Sequence, residues 1–429
     1  MAEPGSRTAR RLTVLADDLT GAGDAAGPFA ARGLRTAVVL AAGDAASAGA
    51  EVVAVDLDCR DAEVPPLPAL PDGPVLVKVD SLGRGRPGRL LAAVAAARGV
   101  PVLLCPAWPA AGRPVRDGWT VDGGFSRVDW PSVLDGVPVR TAPTAGVAER
   151  LLADAAPGTV VLADAEDEED LRELASVAGA AVLAGAAGLA SGVAAELADD
   201  VAGGVLGAAG GALRVADDGP GAAGGVRGPV LVVAGSRDAA SRGQAAVVRG
   251  LGGVRHLGLD SVSGGDEVVA MARAAADALR GGTDVLVTAP GADADTGVVD
   301  AWFAAFAPCL PLAGLAALTG GATARALLDA AGVRELRDPV TLAPGVTAYH
   351  GPATTIVTKP GSLGPPETLA DLVRTARAAP GPVRVPDADG PEERAPVSPD
   401  AGRNEADGVY VDGRDKERGI GEGCGEDDR

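Results

Sequence analysis

Short apolar runs rich in Val and Leu recur through the first half of the chain, at Leu12–Ala16, Thr36–Leu40, Val52–Leu57, Val75–Val79 and Val100–Cys105. Most are followed by a turn and an Ala-rich amphipathic stretch. A strand buried on both faces reads as a continuous apolar run, and parallel neighbours need a long crossover, usually a helix. The alternation therefore predicts α/β architecture with mainly parallel sheets. Val160–Ala163 and Ala181–Leu183 continue the pattern, and Pro229–Ala234, Val285–Ala289 and Thr354–Thr358 carry it into a second unit. Hydrophobic residues make up 47% of the chain but aromatics only 2%, so the core must be assembled from many small Ala, Val and Leu contacts.

At 429 residues two domains are expected. Periodicity assigns an α/β domain to residues 11–200, a Gly/Ala-rich linker to 201–228 and a second α/β domain to 229–379, the two enclosing a cleft. Residues 380–429 have few large apolar side chains, with 14 acidic against 7 basic residues, and are expected to be a disordered acidic tail. A formal charge of −20 argues against nucleic acid as a partner, because that role needs a basic face. No apolar run approaches the roughly 20 residues of a membrane span, and the N-terminus lacks the apolar stretch of a signal peptide. Four scattered cysteines show no metal-ligand spacing, which favours a reducing, cytoplasmic setting. His256 and His350 have no Ser or Cys motif nearby and receive no role.

Three motifs in the first half follow apolar runs, where ligands of open α/β sheets bind. The first is Ala16-Asp17-Asp18-Leu19-Thr20-Gly21-Ala22-Gly23-Asp24. Its paired carboxylates suit hydrogen bonding to a polyol or uptake of a hydroxyl proton, and they equally suit ordinary helix capping. The second, Lys78-Val79-Asp80-Ser81-Leu82-Gly83-Arg84-Gly85, offers Arg84 as a two-pronged partner for a carboxylate, or a local surface ion pair. The third, Cys105 to Arg113, contains Trp108 between prolines and could aim Arg113 into the same crevice, or it is a buried Trp in a turn. In the second half, Gly235-Ser236, Thr319-Gly320-Gly321-Ala322-Thr323-Ala324 and Lys359-Pro360-Gly361-Ser362-Leu363-Gly364 place glycines where backbone amides could approach phosphate oxygens. None is a Walker A sequence or a dinucleotide fingerprint, which disfavours a nicotinamide-dependent oxidoreductase.

In this order, over about residues 12–375, the motifs resemble the four-carbon acid sugar kinase family, which phosphorylates acids such as threonate, erythronate and 3-oxo-tetronate. The resemblance implies an N-terminal domain for the sugar acid, a C-terminal domain for ATP, and reaction between them. It implies that Asp17, Asp18, Asp80, Ser81, Arg84 and Arg113 face the acid, with Asp17 or Asp18 as the base. Gly235, Ser236, Gly320, Gly321, Thr323, Lys359, Gly361 and Gly364 would line the nucleotide. Mg²⁺ is expected on general grounds, with no ligands assignable, and a homo-oligomer is left open. The chain departs from the family pattern: Ala322 stands in place of an Asp in Gly-Gly-Asp-Thr-Ala, Leu82-Gly83 in place of Thr-Leu, Thr341 in place of a Glu, and Ser362-Leu363 in place of Gly-Phe. These changes leave an alternative, a catalytically weakened relative that binds nucleotide or sugar acid as a regulatory protein.

Overall fold

The computed structural model describes residues 12–40, 49–70, 73–123, 125–134, 136–202, 228–258, 264–289, 301–351 and 353–378. The tail expected over 380–429, and nearly all of the linker expected over 201–228, lie outside the described residues.

The apolar runs become strands of two large sheets, one in each of two α/β domains. The first sheet has nine strands, in the order Glu335–Arg337, Thr36–Val39, Val52–Asp56, Leu12–Ala16, Val75–Lys78, Val182–Gly185, Val102–Cys105, Val160–Ala163 and Val139–Ala142. All of its pairings are parallel except the first. Leu12–Ala16 is buried at every position, as expected of a strand covered by helices on both faces. The second sheet runs Val254–Gly258, Asp284–Thr288, Val230–Ala234, Leu315–Thr319, Thr355–Lys359, Val346–His350 and Val340–Ala343, its last two strands antiparallel. A three-stranded antiparallel sheet, Val115–Arg116, Trp119–Asp122 and Phe125–Asp129, is inserted into the first half.

Two features join the halves. Glu335–Arg337, from the second half, pairs antiparallel with Thr36–Val39 and so closes the edge of the first sheet. The helix Leu19–Ala31 lies between the domains. Its sequence, LTGAGDAAGPFAA, has almost no polar face, and a helix apolar all round is a buried one. Glycines allow the close approach. A Cβ on Gly23 would come within 2.1 Å of the Tyr349 hydroxyl, and one on Gly27 within 2.1 Å of Thr341 Oγ1, so no larger residue fits against the second sheet here. Thr341, a departure from the family pattern, thus fills the notch over Gly27. Among the described residues no helix is long and apolar enough to cross a membrane.

Candidate functional site

Each sheet has one place where chain connections leave in opposite directions, and the loops there splay to open a crevice. In the first sheet it lies between Leu12–Ala16, whose chain continues to Thr36–Val39 on one side, and Val75–Lys78, which leads to Val102–Cys105 on the other. Asp17-Asp18 and Val79 to Arg84 follow these two strands directly. In the second sheet it lies between Val230–Ala234 and Leu315–Thr319, which lead into Gly235-Ser236 and Gly320-Gly321.

The first crevice is ionic. Asp18 caps the helix Leu19–Ala31, its Oδ1 accepting from the Gly21 amide at 2.7 Å and its Oδ2 from the Thr20 hydroxyl at 2.8 Å. Arg60, which the motifs did not single out, organises the cluster. Its Nε and Nη2 donate to the two oxygens of Asp17 at 2.9 and 3.0 Å, its Nη1 to Asp18 Oδ2 at 2.6 Å, and Nη2 lies 3.7 Å from Asp80 Oδ2. Arg84 forks onto Asp80 at 3.1 and 2.5 Å, and the Leu82 amide donates to the same carboxylate. Burial opposes ionisation of Asp80, but Arg84, Arg60 and Lys78 together hold its carboxyl well below the usual range. Burial and the neighbouring Asp18 push Asp17 up, against Arg60 and Lys78. Lys78 is itself buried and donates to the Val79 carbonyl at 2.9 Å.

The third motif closes one side of this crevice. Arg113 is 5% exposed and donates from Nη1 to Ser81 Oγ at 3.0 Å. Its Nε is a buried donor without a hydrogen bond, ion-paired with Asp122 Oδ2 at 3.6 Å. Trp108 is buried, and it also lines the cleft beside Arg113. It also packs with Ala186 and Ala187 against Leu363 of the second half. The cleft wall is continued by Asp24 on the first side and by Pro360 and Leu363 on the second.

The second crevice is built from backbone. The loop 360–365 is held from beneath by three buried side chains. Lys359 Nζ donates to the Pro360 and Leu363 carbonyls, each at 2.6 Å. Ser241 Oγ donates to the Gly361 carbonyl at 3.0 Å, and Gln244 Nε2 to those of Leu363, Gly364 and Pro365. In a trans peptide the N–H opposes the C=O, so drawing the carbonyls of Pro360, Gly361 and Leu363 inward turns the amides of Gly361, Ser362 and Gly364 outward. Such successive amides form an anion-binding concavity. The Ser362 hydroxyl is a buried polar atom with no partner. Lys359, expected among the nucleotide-lining residues, instead has its ammonium committed beneath the loop, where burial lowers its pKa to about 8. Gly235 packs on Thr323, Gly361 on Ser236, and Gly320 beside the Ser236 amide.

The two crevices meet. A Cβ added to Gly321 would stand 2.4 Å from Asp18 Oδ2, so the start of the helix Gly321–Ala330 lies against the acidic cluster. Alongside, Arg325 of that helix donates to Asp56 Oδ2 at 2.8 Å across the junction. The expected aspartates, Ser81 and both arginines are thus brought together around one cleft. The expected glycines, with Ser236 and Thr323, gather at its other side. Arg60 lies outside the motifs, and Asp24, the last residue of the first one, was given no role there. Arg60 closes the run Asp56-Leu57-Asp58-Cys59-Arg60 at the end of the strand beside Leu12–Ala16, and Asp24 is the sole charged residue of the helix Leu19–Ala31.

Residues 12–66 match a sugar-binding N-terminal domain and residues 231–369 a nucleotide-binding C-terminal domain. A D-threonate kinase from Cupriavidus necator is 32% identical over 408 residues, covering 82% of this chain and 94% of the relative. Among solved structures, a Salmonella typhimurium LT2 protein named as a tRNA synthase aligns with a TM-score of 0.61 at 18% identity, over 84% of this chain and 98% of that one. A Haemophilus influenzae protein aligns with a TM-score of 0.55 at 16% identity, over 83% and 98%. These two likenesses concern the fold alone.

Proposed function

The chain belongs to the four-carbon acid sugar kinase family, and from that premise we propose that it transfers the γ-phosphoryl group of ATP to a hydroxyl of a small, four-carbon-like sugar acid. The observation that carries this reading is the contact of Asp18 with Gly321, which sets the ionic crevice and the amide crevice edge to edge. Phosphoryl transfer asks a protein mostly for positioning and charge neutralisation, and two crevices sharing one gap supply both.

In this reading Arg113 takes the carboxylate of the acid, helped by the charge of Arg84, whose two prongs stay on Asp80. Asp18, Asp80 and Ser81 bond its hydroxyls, with Asp17 and Arg60 fixing Asp18 from behind. The outward amides of the 360–364 loop, with the turns at Gly235-Ser236 and Gly320-Gly321 and the Thr323 hydroxyl, cradle the phosphates. ATP supplies the activated phosphoryl group and Mg²⁺ its charge neutralisation. Among the described residues no three His, Cys, Asp or Glu side chains are grouped to hold a metal ion.

Ala322 favours a second reading, in which the chain binds these ligands to regulate something else. Loss of a carboxylate beside the phosphates costs a kinase charge control during transfer but leaves binding possible. A coupled ADP-release screen over four- and five-carbon sugar acids separates the two. Turnover with at least one acid supports the kinase. Calorimetric ATP binding without ADP release for any acid supports the regulatory protein.

A further inference from the structure

Four carboxylates surround the acid crevice, and three are committed to donors. Asp17 has both oxygens in the Arg60 fork. Asp18 is shared among an amide, a hydroxyl and Arg60. Asp80 is clamped by Arg84 and the Leu82 amide. A carboxylate whose oxygens are already occupied by cations, amides and hydroxyls has no oxygen free to turn to a substrate hydroxyl, and Asp17 in addition does not line the cleft. Asp24 differs. It is 7% exposed and lines the same cleft from within the helix Leu19–Ala31. Its described hydrogen bond is long, 3.4 Å from Thr347 Oγ1 on the second sheet.

On this geometry, and resting on the kinase reading above, we propose that Asp24 accepts the hydroxyl proton of the sugar acid during phosphoryl transfer. The acceptor oxygen bonds to the γ-phosphorus as the bond from that phosphorus to the β–γ bridging oxygen breaks, its electron pair leaving on ADP. The O–H proton moves to a carboxyl oxygen of Asp24.

The ionisable groups around Asp24 come from both halves. Lys78, Asp18 and Arg60 act on it from the first, and Lys359 and Tyr349 face it from the second. Burial raises its pKa most, Lys78 opposes, Asp18 adds, and the result is about 7. A proton acceptor works best when its pKa lies near the working pH. The bond from Thr347 ties the group to the second domain, so the acceptor is oriented only where both domains are in place.

The test is steady-state kinetics of Asp24→Asn and Asp24→Glu beside the unchanged protein, on whichever acid the screen identifies. The Asn variant should lose about 10²–10⁴-fold in kcat, with KM for both substrates within a few-fold. The rise of kcat through about pH 7 should vanish in it, and the Glu variant should restore part of the rate. ATP binding by calorimetry should persist in the Asn variant, which shows that it is folded. An Asn variant with unchanged kcat and pH profile overturns the assignment and leaves the kinase standing. So does loss of the pH limb in Asp18→Asn alone. An unchanged protein that turns over no acid defeats the kinase reading, and this assignment with it.

Discussion

The crevice of the first sheet is lined by charged side chains, whereas that of the second is lined by backbone amides and small residues. A lysine ends a strand beside each, and the pair shows the contrast. Lys78 donates to the one carbonyl after it and acts on Asp17, Asp24 and Asp80 through its charge. Lys359 is spent on two carbonyls and acts by shaping a loop. A sugar acid differs from its competitors in where its hydroxyls and carboxylate lie, so side chains aimed one by one can distinguish it. A triphosphate is the same anion in every turnover, and under the proposed reading a ring of amides would hold it without side-chain entropy to lose.

This contrast predicts where substitution hurts most. Arg60→Ala strips the shared cation from three buried carboxylates and should cost about 3–5 kcal/mol in urea or thermal unfolding. An unchanged midpoint would mean that the cluster is not held by Arg60. Gly321→Ala places a methyl against Asp18 and should lower kcat about 100-fold, since a misplacement near 1 Å is enough. Full activity would break the proposed contact between the crevices. Leu363→Ala removes the side chain that packs on Trp108, and should cost roughly 2 kcal/mol while raising KM for both substrates. A rise for one substrate only would show that the crevices are uncoupled there. Gln244→Ala frees three loop carbonyls and should raise KM for ATP about 10-fold, with KM for the acid unmoved.

The smallest effect concerns stability against pH. The Asp24 pKa is raised to about 7 by burial in the folded protein, from an ordinary value of 3.8. Between those values the folded state binds more protons than the unfolded one, so stability falls as pH rises from about 4 to 7 and stays reduced above. Asp24→Asn should therefore unfold roughly 2–4 °C higher than the unchanged protein at pH 8, equivalent to roughly 1 kcal/mol, and show no such gain near pH 4. A variant both firmer and slower is the mark of a residue kept for chemistry.

Much of the fold was legible because strands such as Leu12–Ala16 and Val102–Cys105 are buried on both faces and so carry no polar alternation to confuse them. Asp17, Asp18, Asp80, Ser81, Arg84 and Arg113 were legible as candidates because each follows an apolar run. Arg60 was not, since its function depends on three carboxylates distant in sequence. Asp24 was visible at the end of the first motif but carried no role, because it sits inside a helix that reads as plain core. The edge strand Glu335–Arg337 was invisible for a similar reason: only three residues long, it is defined by the Thr36–Val39 partner it meets. Lys359 was legible as a residue near a Gly-rich loop, but a sequence cannot say on which side of that loop an ammonium lies.

The direct test of two crevices serving one reaction is to follow the γ-phosphate itself. Phosphorus NMR of the protein with ATP, Mg²⁺ and the sugar acid chosen by the ADP screen should show a phosphomonoester growing in step with ADP, and none without the acid. ATP that stays intact, or that yields inorganic phosphate at the same rate with and without the acid, would contradict transfer across the Asp18–Gly321 junction.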